Sequence, residues 1–264
     1  MLTINNNGEL SKIIQELLND YASTCRVEPF NGKIIITDNI QETYMQLRKD
    51  LIDLNKTNLT GLERYHGLTV QPANVDGAFT IVLNQNYIIE SINNQNIDWV
   101  GTLIHEAVHV NDFKDYFNIV LPSSYDELYD YNLHRPFLYW TEFHARAIGH
   151  YFLRKYTLED FENNAHIENL INIELPFQVN YMTMEVNKTN DADRQMYVIV
   201  HFLGRLAVWQ YLYPEIFNSE FIDNLMHSNP WMKELYDLFK RYKTLNEIFP
   251  YFNEIQNILD RHFL

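Results

Sequence analysis

Apolar side chains recur at helical spacing from the start of the chain. Leu10, Ile13, Ile14, Leu17, Leu18 and Tyr21 predict a helix from about Glu9 to Tyr21. After the turn signals Pro29 and Asn31-Gly32 the period shortens, and Lys33-Ile34-Ile35-Ile36-Thr37 reads as a strand. Helical spacing returns in Ile40, Tyr44, Leu47, Leu51 and Leu54, with Thr37 or Asp38 placed as the N-cap. Leu68 to Gln71 and Ala78 to Leu83, joined through Asp76-Gly77, read as a β-hairpin. From Trp99 onward the pattern is helical, with candidate helices over 99–116, 137–156, 160–172, 191–213, 219–227, 231–242 and 245–262. Pro122, Pro136, Pro176, Pro214, Pro230 and Pro250 punctuate them, and Pro250 should kink or break the last. The expected class is α+β: a small N-terminal sheet, then a mostly helical C-terminal half.

Composition narrows this picture without redirecting it. At 264 residues and 46% hydrophobic, the chain can bury a substantial core and is not a disordered polymer. The polar loop Asn187-Lys188-Thr189-Asn190-Asp191 is the most reasonable cut, giving a domain over 1–190 and a helical lobe over 191–264, or one continuous domain. A single cysteine, Cys25, excludes an internal disulfide and a thiolate metal cluster. With no apolar run of membrane-spanning length and no signal-peptide shape, a cytoplasmic protein with no membrane partner is expected; secretion by a leaderless route stays open. A net charge of −15 argues against nucleic acid as the main partner. Acidic residues gather at Asp112, Asp115, Asp126, Glu127 and Asp130, which reads first as a solvated acidic face.

Chemistry enters at His105-Glu106-Ala107-Val108-His109. On a helix, residues four apart share a face, so both imidazoles can bind one Zn²⁺ while Glu106 serves a metal-activated water as general base. Asp98 is placed to cap this helix, whose positions Trp99, Val100, Leu103, Ile104, Ala107 and Val108 are apolar. A catalytic zinc needs a third protein ligand. Glu142 is one candidate, in Tyr139-Trp140-Thr141-Glu142-Phe143-His144-Ala145, with small Ala145 and Gly149 on its face to admit a close helix neighbour. Asp115 is the other, ten residues after His105 as in the short metzincin pattern, although Asp112 stands where that pattern needs glycine. Met182 and Met184 would then supply a methionine turn.

The pair His105-Glu106-x-x-His109 and Glu142-x-x-Ala145 resembles the gluzincins, zinc peptidases with a glutamate ligand on a later helix. The hairpin just before the helix looks most like the ImmA/IrrE-type metallopeptidases, over about residues 60–155. The resemblance implies a zincin-like fold, His105, His109 and Glu142 on Zn²⁺, and a peptide or protein substrate. Candidates for orienting a ligand or stabilising an oxyanion are Asp112, His134, His201 and Arg205. His201 and Arg205 lie four apart on an apolar helix, which also suits a structural pairing with a buried carboxylate. The alternatives are a catalytically silent zincin-fold binding protein and the metzincin-like peptidase with Asp115 as ligand. Cleavage specificity and oligomeric state are not legible.

Overall fold

Alternation along a strand sends successive side chains to opposite faces of a sheet, and this decides how the N-terminal elements assemble. The computed structural model describes residues 3–4, 8–53, 61–158 and 164–263. Its elements divide into two compact units, Met1–Tyr131 and Asn132–Leu264.

The first unit is α+β. It begins with β1 (Thr3–Ile4), α1 (Gly8–Cys25), β2 (Lys33–Thr37), α2 (Ile40–Leu47) and α3 (Lys49–Asp53). Then follow β3 (Gly67–Val70), β4 (Thr80–Asn84), α4 (Gln85–Asn93) and α5 (Asp98–Val120). Three strands make a small sheet in the order β2-β4-β3, and the two-residue β1 adds parallel to β2. β2 runs parallel to β4, whereas β3 and β4 form the antiparallel hairpin, registered from Gly67 opposite Leu83 to Val70 opposite Thr80. Both sheet faces are covered, so β4 is an almost continuous buried run. On one face Val70 and Val82 pack on Ile40 of α2, with Tyr44, Leu47 and Leu68 around them. On the other, β3 and β4 lie against α5. Alternation therefore turns Gly67 and Thr69 toward α5.

Several boundaries depart from the sequence pattern for identifiable reasons. Thr37 is taken as the last residue of β2, so the α2 cap passes to Asn39, whose side chain accepts from Glu42 N at 3.0 Å. The stripe from Ile40 to Leu51 is broken at Arg48 into α2 and α3, and Leu54 lies outside the described residues. Asp98 is not a cap: it is the first residue of α5, where its charge favours the positive helix end, and Ile97 occupies the cap position without a side-chain bond. α4, between hairpin and α5, is additional.

The second unit is helical: α6 (His134–Thr157), α7 (Asn164–Asn169), a π-helical segment Leu170–Glu174, α8 (Leu175–Asn187), α9 (Ala192–Leu212), α10 (Ser219–Leu225), α11 (Pro230–Arg241), α12 (Leu245–Ile248) and α13 (Phe252–Phe263). Its core is aromatic, built on Phe137, Trp140, Phe152, Trp209, Phe217, Tyr236, Phe239 and Phe252. α8 is additional to the helices that the pattern predicts; Pro176 stands in its first turn, where no intrahelical N–H is needed. The same reason lets α6 begin before Pro136. Pro250 does break the last candidate helix, into α12, a 3₁₀ turn Phe249–Tyr251 and α13. The polar loop at Asn190 joins α8 to α9 inside the second unit, and the division between units falls at Tyr131 instead. Among the described residues no helix is long and apolar enough to cross a membrane.

Candidate metal centre

α5 is apolar nearly all round: Leu103, Ile104, Ala107, Val108 and Val110 are each at most 2% exposed. A helix of that kind is stable only when enclosed, and the polar groups at its centre are enclosed with it. His105, Glu106 and His109 are all buried. The helical spacing brings His105 Nε2 and His109 Nε2 to 2.9 Å, with the rings nearly perpendicular and their centroids 4.5 Å apart. Two imidazole nitrogens converging on one point suit a shared cation. A tetrahedral zinc with Zn–N bonds of 2.0–2.1 Å would set them about 3.3 Å apart, within a few tenths of an ångström of what is found.

Glu106 is held from the sheet side. Thr69 Oγ1 lies 2.9 Å from Glu106 Oε2 and 2.8 Å from the Glu106 carbonyl oxygen, so the one hydroxyl proton serves two acceptors. This close approach needs a glycine two residues earlier. A Cβ on Gly67 would come within 2.7 Å of Thr102 Cγ2 and 3.0 Å of Glu106 Cγ. Neither Thr69 nor Gly67 is singled out by the motif; the signal that could have found them is the short hairpin ahead of it. β3 ends the strand order, and among the described residues its only sheet neighbour is β4.

Asp112 is buried on α5, where it adds to the burial that raises the Tyr21 phenol well above its usual range; Asn111 Nδ2 donates to that phenol at 3.0 Å. Asp115 is exposed. α5 continues without interruption past it to Val120, so Asp115 stands about 9 Å further along the axis than His109. The chain makes no departure from the helix of the kind the metzincin pattern needs, and Met182 and Met184 lie in α8 rather than in a turn. Asp126, partly exposed beside the exposed Glu127 and Asp130, also has a structural partner: with Asp50 it clamps the buried Arg48 guanidinium, at 2.8 and 2.9 Å.

In the second unit Glu142 sits on α6 and meets α9. His201 Nε2 is 2.9 Å from Glu142 Oε2, and Arg146 Nη2 is 2.9 Å from His201 Nδ1. Arginine can only donate, so Nδ1 accepts and the imidazole proton resides on Nε2, donated to the carboxylate. Arg146 thus fixes the tautomer and His201 orients Glu142. The small residue that permits the contact is Gly204 of α9, where an added Cβ would meet Phe143 O at 2.7 Å and Arg146 Cβ at 2.9 Å. Arg205 follows one turn after His201. Its guanidinium is pushed down to about 10 by burial and by Arg146, opposed by Glu174, Tyr181 and Tyr197. His134 lies eight residues before Glu142, about 12 Å along α6, and burial holds its imidazole neutral, down to about 4. His144 stacks on Trp140 at 4.9 Å.

Compared with models of known protein families, with curated proteins and with solved structures, the chain matches none.

Proposed function

We propose that the protein is a zinc-dependent peptidase of the gluzincin type, with His105 and His109 as metal ligands and Glu106 as general base. The observation that carries this reading is the 2.9 Å convergence of two buried Nε2 atoms with a buried glutamate on the intervening turn. Glu142 is the third ligand that the sequence pattern offers. Its hydrogen bond from His201 leaves Oε1 as a donor atom and matches the way ligand carboxylates are commonly held by a second group. A bound Zn²⁺ would supply an acidified water and a Lewis acid for the scissile carbonyl. The chain's own part is proton handling and alignment. Glu106, steadied by Thr69, takes a proton from the attacking water and passes it to the leaving amine. The outer edge of β3 offers backbone partners to an extended peptide, which would add as a further strand beside Glu106.

A fold used only to bind a partner would have no use for a base. Glu106, buried and hydrogen-bonded beside the two histidines, favours turnover over that second reading.

Zinc content per chain, measured on wild type, Glu142→Ala and Asp115→Ala purified without chelator, is the direct test. Near one zinc in wild type and in Asp115→Ala, with a marked loss in Glu142→Ala, is the expected pattern. A wild-type chain that takes up no zinc when offered it would overturn the proposal.

A further inference from the structure

α6 presents Glu142, Arg146, His150 and Arg154 in a row four residues apart, and α9 answers with Tyr197, His201 and Arg205 at the same spacing. The π-helical segment contributes Glu174. The carboxylates of this layer are already engaged: Glu142 with His201, and Glu174 in a short contact with Arg154. His150 is held neutral by its burial and by Arg154, Arg205 and Arg146 around it. Among the described residues of this layer, Arg146, Arg154 and Arg205 therefore stand beside two carboxylates, Glu142 and Glu174, in a chain whose net charge is −15. The surplus falls on Arg146 and Arg205. Arg146 Nε is buried without a hydrogen-bond partner, and its Nη2 meets only an imidazole. Arg205 makes no hydrogen bond or ion pair with a carboxylate among the described residues, and its strongest charged neighbour is the like-charged Arg146.

Gly204, next to Arg205, packs against the stem of Arg146, and two neighbouring half-buried guanidiniums of like charge are costly unless an anion joins them. What lies beside them indicates which anion. Tyr181 of α8 is within electrostatic reach of Arg205. It belongs to a stripe of exposed apolar side chains, Ile173, Phe177, Tyr181 and Met184, that are 63, 61, 42 and 55% exposed. The Phe177 and Tyr181 rings stack at 6.4 Å. An inorganic anion would leave that stripe unused, whereas a carboxylate with an apolar side chain attached would cover both features.

We propose that Arg146 and Arg205 form a carboxylate site that holds the C-terminus of a peptide whose last residue is apolar, its side chain lying on the Phe177 and Tyr181 stripe of α8. The site takes its ligand class from the peptidase reading and narrows the substrates to chains with a free C-terminus. A planar carboxylate suits the guanidinium fork. It would sit on Arg146, which is linked to the proposed ligand Glu142 through the single ring of His201.

The test uses the full chain carrying Glu106→Gln, so that binding is read without turnover. An N-terminally fluorescein-labelled pentapeptide ending in phenylalanine, as the free acid and as the C-terminal amide, is titrated by fluorescence anisotropy. The acid should bind about tenfold or more tightly than the amide, the scale of a lost charge-assisted pair. Arg205→Gln should weaken the acid alone and erase the difference, and Arg205→Lys should restore part of it. Equal binding of acid and amide, equal losses for both in Arg205→Gln, or no measurable binding of the acid would overturn the proposal. The acid–amide comparison needs no variant at Arg205, so a misfolded variant does not blunt it. A chain that takes up no zinc yet prefers the acid would remove the peptidase reading and leave the carboxylate site. A zinc-loaded chain indifferent to the acid would do the reverse.

Discussion

Helix α5 in the first unit and helix α6 in the second both carry their polar chemistry on residues four apart, and they use opposite means to keep it buried. On α5 the groups are alike: two imidazoles whose Nε2 atoms meet at 2.9 Å, in a helix with apolar residues on nearly every side. On α6 the groups are unlike, and each finds its complement across the packing with α9 and the π-helical segment: Glu142 with His201, His201 with Arg146, Arg154 with Glu174. In the proposed reading, like groups converging on a point share a cation from outside the chain, whereas complementary ones hold one another, as His201 holds the proposed ligand Glu142. The same helical period serves both, so spacing alone does not tell a binding site from an internal strut; the identity of the facing groups does. Arg146 and Arg205 are the place where the second row repeats the logic of the first.

The largest expected effect lies on the first row. Glu106→Gln should keep its zinc while hydrolysis of a peptide substrate falls about a thousandfold or more, as expected for removal of a general base. Retained activity would make Glu106 as structural as the Arg154–Glu174 pair and break the contrast. Elemental analysis alongside the assay separates loss of base from loss of metal.

An intermediate effect is expected from the imidazoles of the second unit. His134 and His150 on α6 are both held below the usual histidine range by burial, His134 down to about 4. The unfolded chain therefore binds more protons than the folded one between pH 6.5 and 4, and stability present above pH 6.5 is lost as the pH falls through that window. His134 contributes on the order of 2–3 kcal/mol to this loss. Denaturant midpoints measured across that range should flatten in His134→Leu. An unchanged slope would mean that the ring is not enclosed as a neutral group.

The smallest effect should come from Thr69→Val. It removes the hydroxyl donor to the Glu106 carboxylate, a charge-assisted bond whose net worth is about 1.5 kcal/mol, so kcat should fall roughly tenfold with KM nearly unchanged and zinc retained. A loss of zinc instead would show that Thr69 supports the histidines and not the base.

The local layer of this protein follows from its residue order alone. Spacing places His105 and His109 on one face; alternation and the Asp76-Gly77 turn produce the hairpin; Pro250 ends a helix where it stands. These are legible because the helix period, the strand period and the missing N–H of proline act within a few residues. Pro136 and Pro176 stand inside the first turn of their helices rather than ahead of them, since the same ring that breaks an interior turn is harmless in a first one. What only the tertiary structure decided are the partners far apart in sequence. Thr69 meets Glu106, Arg48 clamps Asp126, and His201 finds Glu142. Each pairing depends on which faces of two distant elements pack together, and on glycines that let them approach. Gly67 admits the side chains of α5, and Gly204 admits α6. A sequence states that a histidine and an arginine share a helix face; only the packing of that face against another helix states which carboxylate the histidine orients, and which arginine is left without one.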